Sequence, residues 1–257
     1  MKLITVLILA TLAVGVAAPA GATLLSDLFG VSLAVDGSGT FSHMWAPTSP
    51  TADYMADDNY SVYFMRPPYG GEVFDIEAVY FDDDETNAYV AVVGSFPVPM
   101  GLPFMGSIIK PGDLGIDLGG GALDIGVDID GATGEVADTA PGDWYQSSSV
   151  FVAEVGPTNY TGGVPLGFAS VDFYDYGIVE RGYGTYVFEL TIPRHVLGSP
   201  VAGDYIGIDW TMGCRNDVVH LDAQFDSEAP PVPEPGTLLL LGTGLLGAAG
   251  FVRRRRR

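Results

Sequence analysis

Cysteine occurs once, at Cys214, histidine only three times, and Lys plus Arg number 11 against 32 Asp plus Glu. One cysteine excludes an intramolecular disulfide, so burial of apolar side chains has to hold the fold. His43, His195 and His220 are scattered, with no H-E-x-x-H pair, and their placement assigns none of them as a metal ligand or base. Neither a G-x-S-x-G elbow nor a phosphate-cradling glycine loop occurs, although the chain holds 35 glycines. Paired carboxylates are too abundant here to single out a hydrolytic pair. Helix signals are scarce between Thr23 and Glu228, and long apolar runs are confined to the two ends.

Those ends read as addresses. Lys2 precedes an apolar run from Leu3 to Val16, and Ala20-Gly21-Ala22 supplies the small residues that signal peptidase accepts, so export with cleavage after Ala22 is expected. At the other end Thr237 to Val252 is sixteen residues without a charge, about 24 Å as a helix and just short of a hydrocarbon core. Arg253, Arg254, Arg255, Arg256 and Arg257 follow. Arginines stay on the cytoplasmic side, so they are expected to stop translocation and leave the segment embedded as a transmembrane helix.

Val232-Pro233-Glu234-Pro235, an apolar helix and a terminal arginine cluster, in that order, resemble the PEP-CTERM sorting signal of Gram-negative bacteria. The resemblance covers the last twenty-six or so residues. It implies processing by an exosortase, a membrane-embedded cysteine transpeptidase-like enzyme, and release or transfer of the cargo to the cell surface or extracellular matrix. Proteins of this kind commonly accompany exopolysaccharide production and biofilm. Pro233 and Pro235 cannot both join a helix, which keeps the segment before the membrane extended and open to an enzyme.

The chain therefore divides into a signal peptide (1–22), a cargo domain (23–228), a proline-rich spacer with the PEP motif (229–236) and a transmembrane helix with its arginine cluster (237–257). The cargo keeps five basic residues, Arg66, Lys110, Arg181, Arg194 and Arg215, against 31 acids, a formal charge of −26. Nucleic acids and anionic polymers would be repelled by it. Dense aromatic and β-branched residues argue against disorder.

Within the cargo, apolar runs of four to eight residues alternate with Gly, Pro, Asn and Asp. Ten strands are expected: "SVYFMRP", "VFDIEAVYF", "AYVAVVGSFP", "LGIDLG", "ALDIGVDID", "SVFVAEVG", "GFASVDFY", "TYVFELTIP", "YIGIDWTM" and "DVVHLDAQF". Leu123 to Asp130 alternates apolar with small or acidic residues, as in a strand with one wet face. Tyr89 to Val93 is almost wholly apolar, as in a strand covered on both faces. These patterns predict an all-β fold, a β-sandwich of jelly-roll type, with a single helical turn in "PRHVLG" and long glycine-rich loops at 97–112 and 139–149 as rims of a binding face.

"VFDIEAVYFDDDETNAYVAVVG", "YVFELTIPRHVLG" and "GIDWTMGCRND" are similar in order to family-nine carbohydrate-binding modules and their DOMON-like relatives. The matching positions are Asp82 to Tyr89, Glu189 with Ile192-Pro193, and Gly207 with Asn216-Asp217. The resemblance implies a β-sandwich and carbohydrate binding, but no pair of aromatics that would clamp a sugar ring aligns.

Two acidic stretches have the hard oxygen donors that suit calcium: Asp82, Asp83 and Asp84 at a turn, with Asp75 and Glu77 on the strand before it, and Asp128 with Asp130 in "DIDG". The second echoes part of a calcium loop without its full spacing and reads mainly as a strand ending in a glycine-containing turn, and a solvated hairpin tip is the commoner form of the first. Trp144, in the loop "PGDWYQ", is the best candidate for stacking on a pyranose, with Tyr145 beside it, whereas Trp210 alternates with Ile206 and Ile208 and belongs to the core. Arg215, Asn216 and Asp217 are candidates for ligand contacts or for fixing their loop, and Cys214 is expected to be a buried, inert thiol. Together these readings predict a non-enzymatic exported protein associated with polysaccharide, the alternatives being a secreted polysaccharide hydrolase and a purely structural matrix protein.

Overall fold

The computed structural model describes residues 23–33, 45–56, 71–104, 106–140, 143–145, 158–180 and 183–227. The segment expected to be a signal peptide, the Val232–Pro235 motif, the apolar tail and its arginines lie outside them, as do the strands expected in "SVYFMRP" and "SVFVAEVG". Among the described residues no helix is long and apolar enough to cross a membrane.

A one-turn helix α1 (Leu24–Asp27) opens the body, followed by β1 (Asp53–Ala56), β2 (Ile76–Asp83), β3 (Asn87–Gly94), β4 (Leu102–Phe104) and β5 (Ser107–Ile109). Next come β6 (Leu114–Asp117), β7 (Ile125–Val127), β8 (Glu135–Asp138), β9 (Trp144–Tyr145) and β10 (Asn159–Tyr160). The chain continues through β11 (Val164–Phe168), β12 (Ser170–Glu180), β13 (Tyr183–Pro193), β14 (Tyr205–Thr211) and β15 (Val218–Gln224). The turn expected in "PRHVLG" is a 3-10 turn, Arg194–Leu197.

The fold is all-β. One antiparallel sheet runs β1-β2-β3-β13-β12, the other β11-β8-β7-β6-β14-β15, and β4-β5 and β9-β10 form two small ribbons. The two large sheets share one core. Val79, Phe81, Val90, Val92, Phe188 and Leu190 from the first pack with Leu114, Ile116, Val127, Ile206, Ile208 and Trp210 from the second. Each such fully buried side chain contributes about 1.5–3 kcal/mol by leaving water.

The two sheets treat their outer faces differently. On the five-stranded sheet the outward-alternating Ala78, Tyr80, Ala91, Val93 and Val187 form a second cluster with Leu25, Phe29, Val31 and Trp45. The Tyr80 hydroxyl donates to the Trp45 carbonyl at 2.8 Å, and its ring lies 5.4 Å from Phe29. That cover is why Tyr89 to Val93 lacks alternation. α1 is held by Glu189 of β13, whose carboxylate accepts from the amides of Leu24 and Leu25 at 2.8 Å each.

The six-stranded sheet keeps its alternation. Ile125, Val127 and Ile129 point inward, while the outward Gly126 is covered by the Tyr160 ring, so close that a Cβ there would lie 2.4 Å from the ring. The ordered strand is shorter than the pattern suggests, because Asp128 turns back to bond Gly131 and Thr133.

A polar pocket on the outer face of the six-stranded sheet

β6 and β14 carry the same triplet, Gly115-Ile116-Asp117 and Gly207-Ile208-Asp209, and pair antiparallel so that each Asp stands opposite the other's Gly. Both isoleucines point into the core, so both glycines and both aspartates face outward. The glycines leave a shallow floor: a Cβ on Gly115 would meet Leu123 at 2.8 Å, and one on Gly207 the Tyr205 hydroxyl at 2.7 Å. Around this floor lies a cleft of about 310 Å³.

Its walls come from separate elements. β6 gives Asp117, β14 gives Asp209 and Thr211, β15 gives Val218 and His220, the β14–β15 turn gives Arg215, and β9 places Trp144 at the side with Leu123. Trp144 is fixed by its indole N–H, which donates to Thr139 Oγ1 at 3.0 Å, and by the Tyr160 ring 5.7 Å away. Arg215 has φ of 51°, a left-handed conformation that non-glycine residues seldom adopt and that tends to collect at functional sites.

The two aspartates are used differently. The Asp117 carboxylate caps the glycine turn beside it, accepting from the amides of Gly119 at 2.7 Å, Gly120 at 2.8 Å and Gly121 at 3.0 Å. Asp209 Oδ1 meets His220 Nδ1 at 3.0 Å, while His220 Nε2 meets Asp222 Oδ1 at 3.1 Å. The Tyr205 hydroxyl donates to that same Asp222 oxygen. Burial pushes Asp209 above the ordinary carboxylate value, against the pull of His220 and Arg215. Burial alone would lower His220, but Asp209 and Asp222 on its two nitrogens outweigh it and raise its pKa.

Of the residues expected to bind ligand, Trp144 and Arg215 come together in this cleft. Tyr145 is the next residue of β9, 45% exposed, and does not line it. Asn216 and Asp217 are buried below it, where Asp217 Oδ2 accepts from the Ile76 amide at 2.8 Å and ties the β14–β15 turn to the start of β2. Trp210 and Cys214 are core residues, and burial pushes the Cys214 thiol up to about 12. Sequence reasoning missed Asp117, Asp209 and His220. The repeated Gly-Ile-Asp triplet was the available signal.

The acidic stretches resolve into distinct arrangements. Asp82, Asp83 and Asp84 each serve a different neighbour: Asp82 accepts from Thr51 Oγ1, Asp83 from Arg194 and the amides of Asp226 and Ser227, Asp84 from Thr86, Asn87 and Tyr89. Asp128 and Asp130 converge with Asp113, their ligand atoms within 4.8 Å of one another. Asp113 accepts from the amides of Ile129, Asp130 and Tyr160, and burial raises it to about 6. Glu72, Asp75 and Glu77 form a second convergent group, each at most 2% exposed. Three oxygen donors at such spacing have the chemistry calcium prefers.

Residues 231–257 match the family model described as the PEP-CTERM protein-sorting motif. The tail is a PEP-CTERM sorting signal. It spans a small part of the chain and implies export and processing by an exosortase. No curated protein and no solved structure matches the chain.

Proposed function

We propose that this PEP-CTERM protein is exported, freed of its leader by signal peptidase, held briefly in the membrane by residues 237–257, and passed by an exosortase to the cell surface or matrix. Its β-sandwich body binds extracellular polysaccharide there without cleaving it. The pocket carries this reading: an aromatic wall at Trp144, a guanidinium at Arg215 and a carboxylate at Asp209 surround a glycine floor. Aromatic faces pack on the C–H surface of a sugar ring while charged groups take its hydroxyls. A hydrolase needs two working carboxylates across the bond, whereas of the three in the pocket Asp117 spends its oxygens on the glycine turn and both Asp113 oxygens accept from the amides of Ile129, Asp130 and Tyr160. Arg194 and Lys110 lie outside the pocket, and the charge of the body disfavours anionic polymers.

Two measurements test the reading. Mass spectrometry of the surface form is expected to find a C-terminus upstream of the arginines; molecules that still end in Arg257 count against sorting. Matrix polysaccharide pull-downs are expected to retain the mature protein, and Trp144→Ala to weaken retention about tenfold, the loss of one aromatic contact. Equal retention of wild type and variant, or none of either, removes the sugar-binding claim.

A further inference from the structure

The reading of the pocket as a carbohydrate site leaves open what it selects, and the following rests on that reading. We propose that Asp209, positioned by His220, is the specificity-determining acceptor of the pocket, and that the ligand is a neutral sugar presenting two adjacent free hydroxyls at a chain end.

Of the two outward aspartates, only Asp209 keeps an oxygen for a ligand. Among the described residues nothing donates to its Oδ2, whereas both Asp117 oxygens accept from backbone amides. Arg215 lines the same cleft and acts electrostatically on Asp209. A carboxylate oxygen beside a guanidinium matches a vicinal diol: one hydroxyl donates to Oδ2, and its neighbour accepts from the guanidinium. An acidic sugar would meet Asp113, Asp117 and Asp209 in the lining, so the complement is neutral. At about 310 Å³ the cleft is small for a ligand site, near the low end of the roughly 300–1,000 Å³ range, which suits a terminal residue better than a long internal stretch.

His220 sets the direction of Asp209. Its ring lies between two carboxylates, Asp209 of β14 and Asp222 of β15, and donates to both only when doubly protonated. The other titratable groups around this pair are Tyr205 on Asp222, Arg215 from the turn and Asp117 across the floor. Deprotonation of the ring removes one donor and leaves Asp209, Asp222 and Asp117 to repel one another. Affinity is therefore expected to fall as pH rises through the raised value of His220.

The experiment titrates the mature exported protein by calorimetry with cellotetraose, laminaritetraose, maltotetraose and mannotetraose, from pH 5.5 to 8.5. At least one is expected to bind, more weakly at the alkaline end. The same oligosaccharide after periodate oxidation and borohydride reduction, which opens vicinal diols, is expected to lose about tenfold or more, as is Asp209→Asn against the native sugar. His220→Gln is expected to weaken binding at pH 6 and flatten the pH profile, a change that a purely structural role would not produce. Binding that depends on Trp144 but ignores both periodate treatment and Asp209→Asn overturns this inference while leaving the carbohydrate reading intact. Binding to none of the four sugars overturns this inference, and if matrix polysaccharide is not retained either, the carbohydrate reading falls with it. The periodate arm uses the unaltered protein, so it decides the question even if a variant fails to fold.

Discussion

Arg194 is 1% exposed, and its guanidinium is surrounded by acceptors: Asp83 Oδ2 at 2.9 Å and the carbonyls of Asp84, Ser227 and Pro200, with the Phe225 ring 5.0 Å from its carbon. A buried pair of this kind is worth little against an apolar replacement, but removing one partner strands a charge. Asp83→Ala is therefore expected to cost about 3–5 kcal/mol in denaturant unfolding, whereas exposed Glu85 changed to Ala stays within about 0.5 kcal/mol. Equal effects would mean that the turn acts through its summed charge. From sequence this turn read as a cluster of like charges. The partners that separate its carboxylates, Thr51, Arg194 and Ser227, are 31 to 144 residues away, and no local pattern announces them.

At the scale of elements, one glycine and one acid decide how covers sit on sheets. Gly126 admits the Tyr160 ring, which in turn braces Trp144. Gly126→Val drives a side chain into that ring and is expected to displace the β9–β10 ribbon, lowering sugar affinity more than it lowers the melting temperature; a parallel loss of both would place the ribbon's role in stability alone. On the other sheet, Glu189 holds α1 through two amides. Glu189→Ala leaves those donors without acceptors in a buried setting, at a cost of about 1–3 kcal/mol by denaturant unfolding, with faster hydrogen exchange at Leu24 and Leu25 as its local signature.

The whole molecule is governed by its acid excess. Asp113, raised by burial to about 6, binds a proton on folding, so its contribution is present below the ordinary carboxylate value of 3.8 and is lost as pH rises through 6. His220, also raised, contributes below 6.5 and loses that contribution as pH rises through its folded value. Asp84 runs the other way. Burial would raise it, but Tyr89, Thr86 and Asn87 bring it down to about 2, so its contribution is present above 3.8 and disappears as pH falls toward 2. The melting temperature is expected to rise from pH 8.5 to about 5.5 and to drop again below 4. Salt near 1 M should raise it most at pH 8.5, where repulsion is greatest. A flat profile by scanning fluorimetry, or a maximum above pH 8, would contradict this account.

The sequence by itself determined the strand class, the positions of the longer strands, the inward placement of Trp210 and Cys214, the two-sided burial of Tyr89 to Val93, and the sorting tail. Each of these depends on near neighbours along the chain: side-chain alternation, run length, or the order of a few residues. Only the tertiary structure decided which carboxylates stand alone, which converge, and that Asp117, Asp209, His220, Arg215 and Trp144 share one cleft. β6 and β14 are some ninety residues apart, and their Gly-Ile-Asp triplets become one floor only through antiparallel pairing. Periodicity assigns a residue to a face of its own strand, whereas the composition of a site depends on which strands that face is laid against.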